Sequence, residues 1–296
     1  MQPVSAVIVN HNGGELLASC LNDLIADSVG EVIVVDNAST DSSIKLLEGS
    51  LDDHGKPGVR VLQVGLNVGY GAAANRGVAA CDSSSKLVII CNPDLRIRRG
   101  AIDALSTALF GDPTLGIVGP CILEPDGSMY PSARRFPSLV GAGMHAILGL
   151  VSPDNRFTKN YRMQDGGRRE GGEVDWVSGA FFMARREALE EIGGFDEGYF
   201  MYGEDVDLCW RIHRAGYGVA YVPEAVVTHE RAYSTKRHPY RMLIAHHRST
   251  MRFTSKRYSG FRFVLLAVPV TILLGVRAAI AFVQQAINDL KKIGKS

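Results

Sequence analysis

Cysteine is scarce in this chain of 296 residues: there are five, an odd and scattered set without a C-x-x-C pair. Disulfide frameworks and structural zinc sites need cysteines that are paired or closely spaced, so the sequence argues against both. The pattern favours a protein of a reducing compartment. The five residues are Cys20, Cys81, Cys91, Cys121 and Cys209.

Three other signals are missing near the N-terminus. No basic region precedes the apolar residues of MQPVSAVIVN, so the sequence predicts no signal peptide. No G-x-G-x-x-G follows the first apolar run, which disfavours a dinucleotide-dependent dehydrogenase. No Gly-rich basic loop follows it either, which disfavours a sugar nucleotidyltransferase. The chain is 46% hydrophobic and 21% charged, and it is therefore expected to fold around a large core.

Acidic residues are nearly absent from the end of the chain. Residues 231–296 contain thirteen Lys and Arg but a single acidic residue, Asp289, whereas residues 1–230 contain 19 basic and 30 acidic residues. This asymmetry predicts a polyanionic partner for a basic tail. Because no nucleic-acid recognition motif accompanies the basic residues, an anionic membrane surface is favoured over nucleic acid.

An apolar run at residues 263–276 lies within this tail and is broken by Pro269. Its fourteen residues are fewer than the ~20 that usually span a bilayer, and Arg277 follows directly. We therefore expect an in-plane or re-entrant membrane segment, with a buried packing helix pair or a homodimer contact as the alternative. The expected division is a main α/β domain at 1–235 and a helical, membrane-associating tail at 236–296.

Short apolar, β-branched runs alternate with segments of helical spacing along the first part of the chain, which predicts buried strands separated by helices. Such alternation predicts an α/β fold with a mostly parallel, Rossmann-like sheet flanked by helices. Residues 124–173 lose the pattern and are expected to be irregular, apart from an apolar segment at 139–151. The predicted strands are residues 4–9, 32–35, 59–64 and 87–91, a pair at 117–118 and 122–123, and two late strands at 219–222 and 226–228.

Polar side chains follow three of these predicted strands. Asn10 and Asn12 follow the first strand, Asp36 the second and Asp94 the fourth. Parallel strands end at the same edge of a sheet, where open α/β sheets bind their ligands, so these side chains are expected to converge. A carboxylate at Asp94 suits a divalent cation that holds phosphates, although its Asn-Pro-Asp sequence is also that of a plain turn.

Three carboxylates stand close together at the predicted start of a later helix: Glu204, Asp205 and Asp207. Acidic residues in a first helical turn complement the helix dipole, a contribution of ~0.3–1 kcal/mol each. That role accounts for one or two carboxylates better than for three within four residues. The cluster therefore also predicts a chemical role.

Several motifs, taken together and in order, resemble those of the family 2 glycosyltransferases of the GT-A fold. They extend over about residues 4–235 and are followed by His229 near the end. Within the family, the chain is most similar to the rhamnosyltransferase subgroup that acts in actinobacterial cell-wall assembly. The motifs are VIVNHN, VVDNASTD, NVGYGAAANRG, CNPDL, WVSGAFF and GYFMYGEDVDLCWR.

The resemblance implies an inverting sugar transfer. The implied donor is a nucleotide-diphospho-sugar, dTDP-L-rhamnose, and the implied acceptor is N-acetylglucosamine on a polyprenyl diphosphate. Such an acceptor implies a peripheral or monotopic protein at the cytoplasmic face of the plasma membrane. The alternatives are a UDP-linked or other nucleotide sugar, a non-lipid acceptor, and a non-catalytic nucleotide-sugar binding protein.

The resemblance assigns the chemical step to Asp205, as the general base that removes the proton of the acceptor hydroxyl. Glu204 and Asp207 are its rivals, and Glu204 is otherwise expected to contact substrate. Asp94 and His229 would hold a Mg²⁺ or Mn²⁺ ion that neutralises the diphosphate leaving group. An ordinary strand-end histidine is the alternative for His229.

The other implied residues contact substrate. Asp36 would hold the nucleoside, and Asn92 stands where many relatives have the first Asp of an Asp-x-Asp motif, which leaves one carboxylate at the metal site. Trp176 and Tyr202 would stack on sugar faces, and Arg211 would offset phosphate charge, although a core role suits Trp176 equally. The remaining residues expected at the nucleotide are Asn10, Asn12, Asn67, Gly69 and Asn75.

Overall fold

A computed structural model describes residues 4–52, 58–136, 171–230 and 239–258, together with the single positions 268, 271, 272, 275 and 276. The apolar segment at 139–151 and most of the run at 263–276 lie outside the described residues. All five cysteines are buried and free.

Strands and helices alternate up to residue 123, as the sequence pattern predicts. The elements are, in order, β1 (Val4–Asn10), α1 (Leu16–Ala26), β2 (Glu31–Asp36), α2 (Ser43–Asp52), β3 (Val59–Gln63), α3 (Tyr70–Ala80), β4 (Leu87–Cys91), β5 (Leu95–Ile97), α4 (Ala101–Gly111), β6 (Leu115–Leu123), β7 (Ala133–Arg134), β8 (Gly172–Glu173), β9 (Trp176–Val177), β10 (Phe181–Arg185), α5 (Arg186–Glu191), α6 (Glu204–Arg214), β11 (Gly218–His229) and α7 (Pro239–Arg257).

One mixed sheet forms the centre of the described protein, in the order β3-β2-β1-β4-β10-β6-β11-β5, with β8 also paired to β11. The half formed by β3, β2, β1 and β4 is parallel throughout. β10 runs antiparallel to both β4 and β6, and β5 and β8 run antiparallel to β11. The α/β prediction is confirmed, but its parallel order applies to the first half, because a strand buried on both faces has the same apolar pattern in either direction.

Two predicted strand pairs are each a single strand, and on this point the prediction was wrong. β6 continues through Gly119 and Pro120 because its pairing with β11 continues past both residues. β11 contains a shift of register between Val222 and Val226, so that Pro223 is accommodated in a β-bulge instead of ending the strand.

Helices cover both faces of the sheet, and each face has its own apolar core. Residues of α1, α2 and α4 pack in one core, and residues of α3, α5 and α6 pack in the other. Gly77 lets α3 lie directly on the sheet, since a Cβ atom there would collide with Val7 and Val35 of β1 and β2. This packing on both faces holds the sheet in place, and with it the carboxyl ends of the parallel strands, where the site lies.

The last described helix, α7, packs against the main body. Arg252 donates three hydrogen bonds to Asp196, and Lys256 contacts both Asp196 and Asp207. The division at residue 235 stays a prediction, but the nineteen residues of α7 do not stand apart from the body. Among the described residues, we find no helix with the length and apolar character needed to cross a membrane.

Candidate active site

A cleft of about 490 Å³ opens at the carboxyl edge of the parallel half of the sheet. Its lining comes from the turns after β1 and β4, the start of α3, residues 178–180 before β10, the start of α6 and the end of β11. The cleft therefore brings together the candidate metal ligands, the candidate base and part of the candidate nucleotide pocket. The lining residues predicted from sequence are Asn12, Asn67, Asn92, Asp94, Tyr202, Glu204, Asp205 and His229.

Asn10 and Asp36 lie behind this lining. The fully buried Asn10 donates from Nδ2 to Asp36 Oδ1 at 3.2 Å, to Ser39 Oγ at 2.9 Å and to Ser43 Oγ at 3.0 Å. Asp36 also accepts the backbone N–H of Ser39. Because these bonds join the ends of β1 and β2, the two residues fix the wall from which Asn12 faces the cleft.

Three asparagines line the cleft on this wall. Asn37 donates from Nδ2 to Asn67 Oδ1 at 3.1 Å, and Asn37 Oδ1 accepts the N–H of Val68 at 2.9 Å. Asn12 Oδ1 accepts the N–H of Thr40 at 2.8 Å. A wall of amides held by their neighbours suits a polar ligand that needs oriented hydrogen bonds.

Asp94 and His229 meet on the opposite side of β4, although they are 135 residues apart in sequence. The antiparallel pairing of β5 with β11 sets His229 opposite Leu95, and His229 Nε2 then lies 3.1 Å from Asp94 Oδ1. His229 Nδ1 is buried and has no hydrogen-bond partner among the described residues. The carboxylate and the imidazole thus form a pair at the cleft.

This pair fits a divalent cation that a bound ligand would complete. Mg²⁺ is usually held by one or two carboxylates together with substrate phosphates, and imidazole is a common metal ligand. The described residues contain no group of three or more His, Cys, Asp or Glu that could hold a metal ion by themselves. The described lining also contains neither Lys nor Arg, so a diphosphate bound there needs another source of positive charge.

Glu204 and Asp205 begin α6 and line the same cleft. Asp205 Oδ2 accepts the N–H of Gly179 at 3.0 Å, whereas the buried Glu204 Oε2 has no hydrogen-bond partner in the described structure. Burial raises the pKa of both carboxyl groups, and the charge of Asp205 raises the pKa of Glu204 further. The pair therefore binds a proton more tightly than an exposed carboxylate does.

The turn before this pair is strained. Tyr202 has φ of 67° and Gly203 has φ of 81°, both in the left-handed region. Glycine adopts this conformation freely, but for tyrosine it costs about 1–2 kcal/mol. Strain of this kind persists where surrounding contacts hold the backbone, and it is frequent at functional sites.

Asp207, the other rival for the role of base, does not line the cleft. Its carboxylate is fully buried and accepts hydrogen bonds from Arg211 Nε at 2.7 Å, Tyr199 Oη at 3.3 Å and Lys256 Nζ. A carboxylate with two cationic partners is poorly placed to accept a substrate proton. This geometry separates Asp205 from Asp207 although the two belong to the same helical turn.

Trp176 and Arg211 also lie outside the cleft lining. Trp176 is buried in the core, donates from Nε1 to the carbonyl of Arg135 at 3.0 Å, and stacks with Arg134 at 4.9 Å. This favours the core role that the sequence left open. Arg211 donates to Asp207 and to the carbonyl of Ile192, so its charge is already paired within the protein.

Gly69 and Asn75 hold the chain near the cleft without lining it. A Cβ atom at Gly69, whose φ is 90°, would collide with the carbonyl oxygen of Phe200. Asn75 brackets Phe195 by donating to its carbonyl at 2.9 Å and accepting its N–H at 2.8 Å. Both residues therefore fix the loop that leads to α6, and their contact with nucleotide stays a prediction.

Some lining residues had no role assigned from the sequence. Ser178 and Gly179 belong to the WVSGAFF motif, and Gly179 also accepts the hydroxyl of Tyr70 at 2.6 Å through its carbonyl. Burial raises the pKa of Tyr70 well above its usual value, so its hydroxyl stays protonated. Residues in turns do not recur at helical or strand spacing, so periodicity does not identify them as site residues. Membership of the WVSGAFF motif was the one sequence signal that could have done so. The unassigned lining residues include Asn37, Tyr130, Ser178, Gly179 and Met201.

Comparison with known sequences agrees with the resemblance to family 2 glycosyltransferases. Residues 2–253 match the family model described as "Glycosyltransferase like family 2". The chain is 45% identical over 241 residues to N-acetylglucosaminyl-diphospho-decaprenol L-rhamnosyltransferase of Mycobacterium tuberculosis, an alignment that covers 78% of this chain and 76% of the relative. It is 26% identical over 267 residues to rhamnosyltransferase WbbL of Escherichia coli, covering 86% and 93% of the two chains.

Solved structures confirm the expected GT-A fold. Mannosyltransferase PcManGT of Pyrobaculum calidifontis, in complex with GDP-Man and Mn²⁺, aligns with a TM-score of 0.62 over 99% of this chain and 79% of its own, at 19% identity. GalNAc-T7 with UDP, GalNAc and Mn²⁺ aligns with a TM-score of 0.58 over 78% and 44%, at 18% identity. At these identities the likeness concerns the fold alone.

We expect Glu204→Gln to stabilise the fold at alkaline pH. When the folded-state pKa of a carboxyl lies above its unfolded value, its contribution to stability is fully present below the unfolded pKa and is lost as the pH rises through the folded pKa. The Tm of the wild type should therefore fall relative to that of Glu204→Gln between about pH 5 and about pH 9.

The matched control for this comparison is Glu187→Gln, which changes an exposed glutamate of α5. Its Tm difference from the wild type should not depend on pH. Thermal unfolding followed by circular dichroism, in the presence of EDTA, measures both variants. A pH-independent difference for Glu204→Gln would contradict the raised pKa.

Proposed function

This chain belongs to glycosyltransferase-like family 2, and on that basis we propose that it transfers L-rhamnose to N-acetylglucosamine on a polyprenyl diphosphate. The proposed donor is a nucleotide-diphospho-sugar, dTDP-L-rhamnose, and the transfer inverts the anomeric carbon. The 45% identity to the mycobacterial enzyme supports the sugar and the acceptor. The structural observation that carries the proposal is a single cleft lined by both the Glu204–Asp205 pair and the Asp94–His229 pair.

Asp205 is the proposed general base. The acceptor hydroxyl oxygen attacks the anomeric carbon, its proton passes to the Asp205 carboxylate, and the bond from that carbon to the diphosphate oxygen breaks. The electron pair leaves with the diphosphate on the face opposite the attack, so the configuration inverts. The N–H of Gly179 holds Asp205 Oδ2, and the raised pKa of Asp205 favours acceptance of the proton.

Asp94 and His229 are the proposed holders of a Mg²⁺ or Mn²⁺ ion. When bound, such an ion would neutralise the negative charge that develops on the diphosphate leaving group. The lack of Lys and Arg in the described lining supports this need, and so does the Mn²⁺ of the two solved structures named above. Asn92 leaves Asp94 as the carboxylate of this turn, so we expect weak metal binding without nucleotide.

Substrate contacts are proposed for the remaining lining residues. Asn12 and Asn67 would contact the nucleoside, while Asn10 and Asp36 would hold the wall behind them. Tyr202, which lines the cleft beside the carboxyl pair, would stack on a sugar face, and the unpaired Glu204 Oε2 would bind a substrate hydroxyl.

A transfer assay with a polyprenyl-diphospho-N-acetylglucosamine acceptor tests this proposal. dTDP-L-rhamnose should give product faster than UDP-linked sugars at equal concentration. Asp205→Asn should keep donor affinity within a few-fold but lower turnover by about 10²–10⁴-fold, the usual contribution of general acid–base catalysis.

Asp207→Asn is the informative comparison, since Asp207 faces away from the cleft. If Asp207→Asn lost turnover in this way and Asp205→Asn did not, the base would be Asp207. Full transfer by Asp205→Asn would rule out the assigned base. Donor binding by calorimetry without transfer to any acceptor would favour the alternative, a non-catalytic nucleotide-sugar binding protein. Preference for a UDP-linked sugar would leave the reaction class standing and correct the donor.

The metal proposal has its own test in Asp94→Ala. This variant should lose transfer and should no longer bind nucleotide more tightly when Mg²⁺ or Mn²⁺ is added, as measured by calorimetry with dTDP. Its Tm in EDTA should stay close to that of the wild type, because Asp94 lies at a turn. If the wild-type protein kept full activity in EDTA, the proposed role of the metal would be contradicted.

The tail is proposed to bring the enzyme to an anionic membrane, at the cytoplasmic leaflet in the cell, where a polyprenyl-linked acceptor resides. Nine basic and no acidic residues lie between 231 and 262. Val268, Ile272 and Val276 recur every four positions with 65%, 61% and 54% of their surface exposed, a spacing that would place them in an apolar stripe on one face of a helix. Basic residues and an apolar stripe together suit binding in the plane of the interface.

Sedimentation with anionic liposomes separates these two contributions. Salt screens the basic residues over a Debye length of ~8 Å at physiological ionic strength, but it does not weaken apolar burial. High salt should therefore release only part of the protein, while deletion of 261–296 should release most of it and leave dTDP binding intact. Full-length protein that stays in solution at low salt would contradict the membrane proposal. A truncation that instead lowers Tm or splits a homodimer would favour the packing alternative.

A further inference from the structure

One face of α7 contacts the loop that carries the Glu204–Asp205 pair. Ser249 Oγ donates to the carbonyl of Met201 at 3.0 Å, and the ring of His246 packs edge-on against Tyr202 at 5.8 Å between centroids. Met201 and Tyr202 both line the cleft. Four residues of α7 that contact the main body recur at intervals of three or four and therefore share one helical face: His246, Ser249, Phe253, which packs against Trp210 of α6, and Lys256.

Lys256 joins this face to two acidic side chains of the main body. Its Nζ donates to Asp196 Oδ2 at 2.7 Å and to Asp207 Oδ1 at 2.5 Å. Arg252 adds three hydrogen bonds to Asp196, one from Nε at 3.1 Å and two from Nη2 at 2.8 and 2.9 Å. Burial alone would raise the pKa of Asp196, but the hydrogen bonds from Arg252 and Lys256 outweigh it and hold that pKa well below its usual range.

Asp207 lies in the first turn of α6, together with the carboxyl pair. Its N–H donates to the carbonyl of Gly203 at 2.9 Å, which closes this turn. Glu204 and Asp205 face the cleft from the turn, while the fully buried Asp207 carboxylate faces Lys256. A displacement of Asp207 therefore displaces the residues that precede it.

The strained turn before α6 gives a second reason to consider α7. Tyr202 stays in the left-handed region only if neighbouring contacts hold it. α7 supplies two of these contacts, from His246 to the Tyr202 ring and from Ser249 to the preceding carbonyl. The helix thus holds both the strained residue and the residue before it.

We propose that Lys256 is a positioning residue for the transfer: through Asp207 and Asp196 it holds the first turn of α6 so that Asp205 meets the acceptor hydroxyl. This inference rests on the proposed function of the cleft. It also means that two of the nine basic residues counted in the tail, Arg252 and Lys256, are paired with acidic residues of the same chain, so that the proposed attraction to an anionic membrane depends on the others.

Substitution of Lys256 separates positioning from simple stabilisation. Lys256→Met should lower kcat by about 10–100-fold at a temperature where the variant is fully folded, because small misplacements of a catalytic group are costly. The Kd for dTDP should change less than about three-fold, since Lys256 does not line the cleft. Lys256→Arg should recover most of the lost kcat, and Lys45→Met, on an exposed lysine of α2, should keep the wild-type rate.

A double-variant cycle tests whether Lys256 acts through Asp207. Asp207→Asn combined with Lys256→Met should lose no more kcat than the more damaging single variant. Multiplied losses would overturn the proposed route, and so would a folded Lys256→Met with wild-type kcat and a lowered Tm, the behaviour of an ordinary stabilising ion pair.

Hydrogen exchange gives a readout that does not depend on catalysis. In Lys256→Met, amides of residues 199–207 should exchange faster than in the wild type, while those of β1 and β4 should not. Unchanged exchange at 199–207 would overturn the inference. A wild-type protein without transfer activity would instead contradict the proposed function, and the exchange result would still decide whether Lys256 holds this turn.

Discussion

The antiparallel pairing of β10 with the fully buried β4 is the constraint on which the site depends. The pairing continues beyond β4, where the N–H of Asn92 donates to the carbonyl of Ala180 at 2.9 Å. The next residue, Gly179, donates its N–H to Asp205. These two hydrogen bonds link the turn that carries Asp94 to the proposed base Asp205. The proposed metal ligand and the proposed base are therefore held at a fixed separation by the same strand pair.

The carboxylates near this strand pair fall into two groups, one behind the cleft and one inside it. Behind the cleft, Asp207 and Asp196 are each neutralised by cationic side chains, which fixes their positions and lowers the pKa of Asp196. Inside the cleft, burial raises the affinity of Glu204 and Asp205 for a proton, although the charge of Arg134 partly opposes this at Asp205. Carboxylates of one short segment therefore have two roles: those behind the cleft form structural ion pairs, and those inside it are available to bind a proton. The surroundings of each carboxylate decide its role, not its residue type.

Two features of the structure that the sequence pattern did not predict share a physical cause. Pro120 and Pro223 interrupt an apolar pattern in sequence, yet pairing with a neighbouring strand carries β6 and β11 past them. Two of the basic residues of α7, Arg252 and Lys256, meet acidic residues about 50 to 60 positions earlier, a pairing that the charge count alone does not predict. Neither outcome is encoded locally, since each depends on a segment distant in the chain.

The sequence by itself determined the alternation of strands and helices, the family, and the convergence of Asn10, Asp36 and Asp94 at one edge. These follow from local periodicity and from the rule that parallel strands end together. Only the tertiary structure decided that Asp205 faces the cleft while Asp207 faces Lys256, and that His229 meets Asp94 across 135 residues. The reason is that the orientation of a helix about its axis and the pairing of distant strands are set by packing, which no local pattern contains.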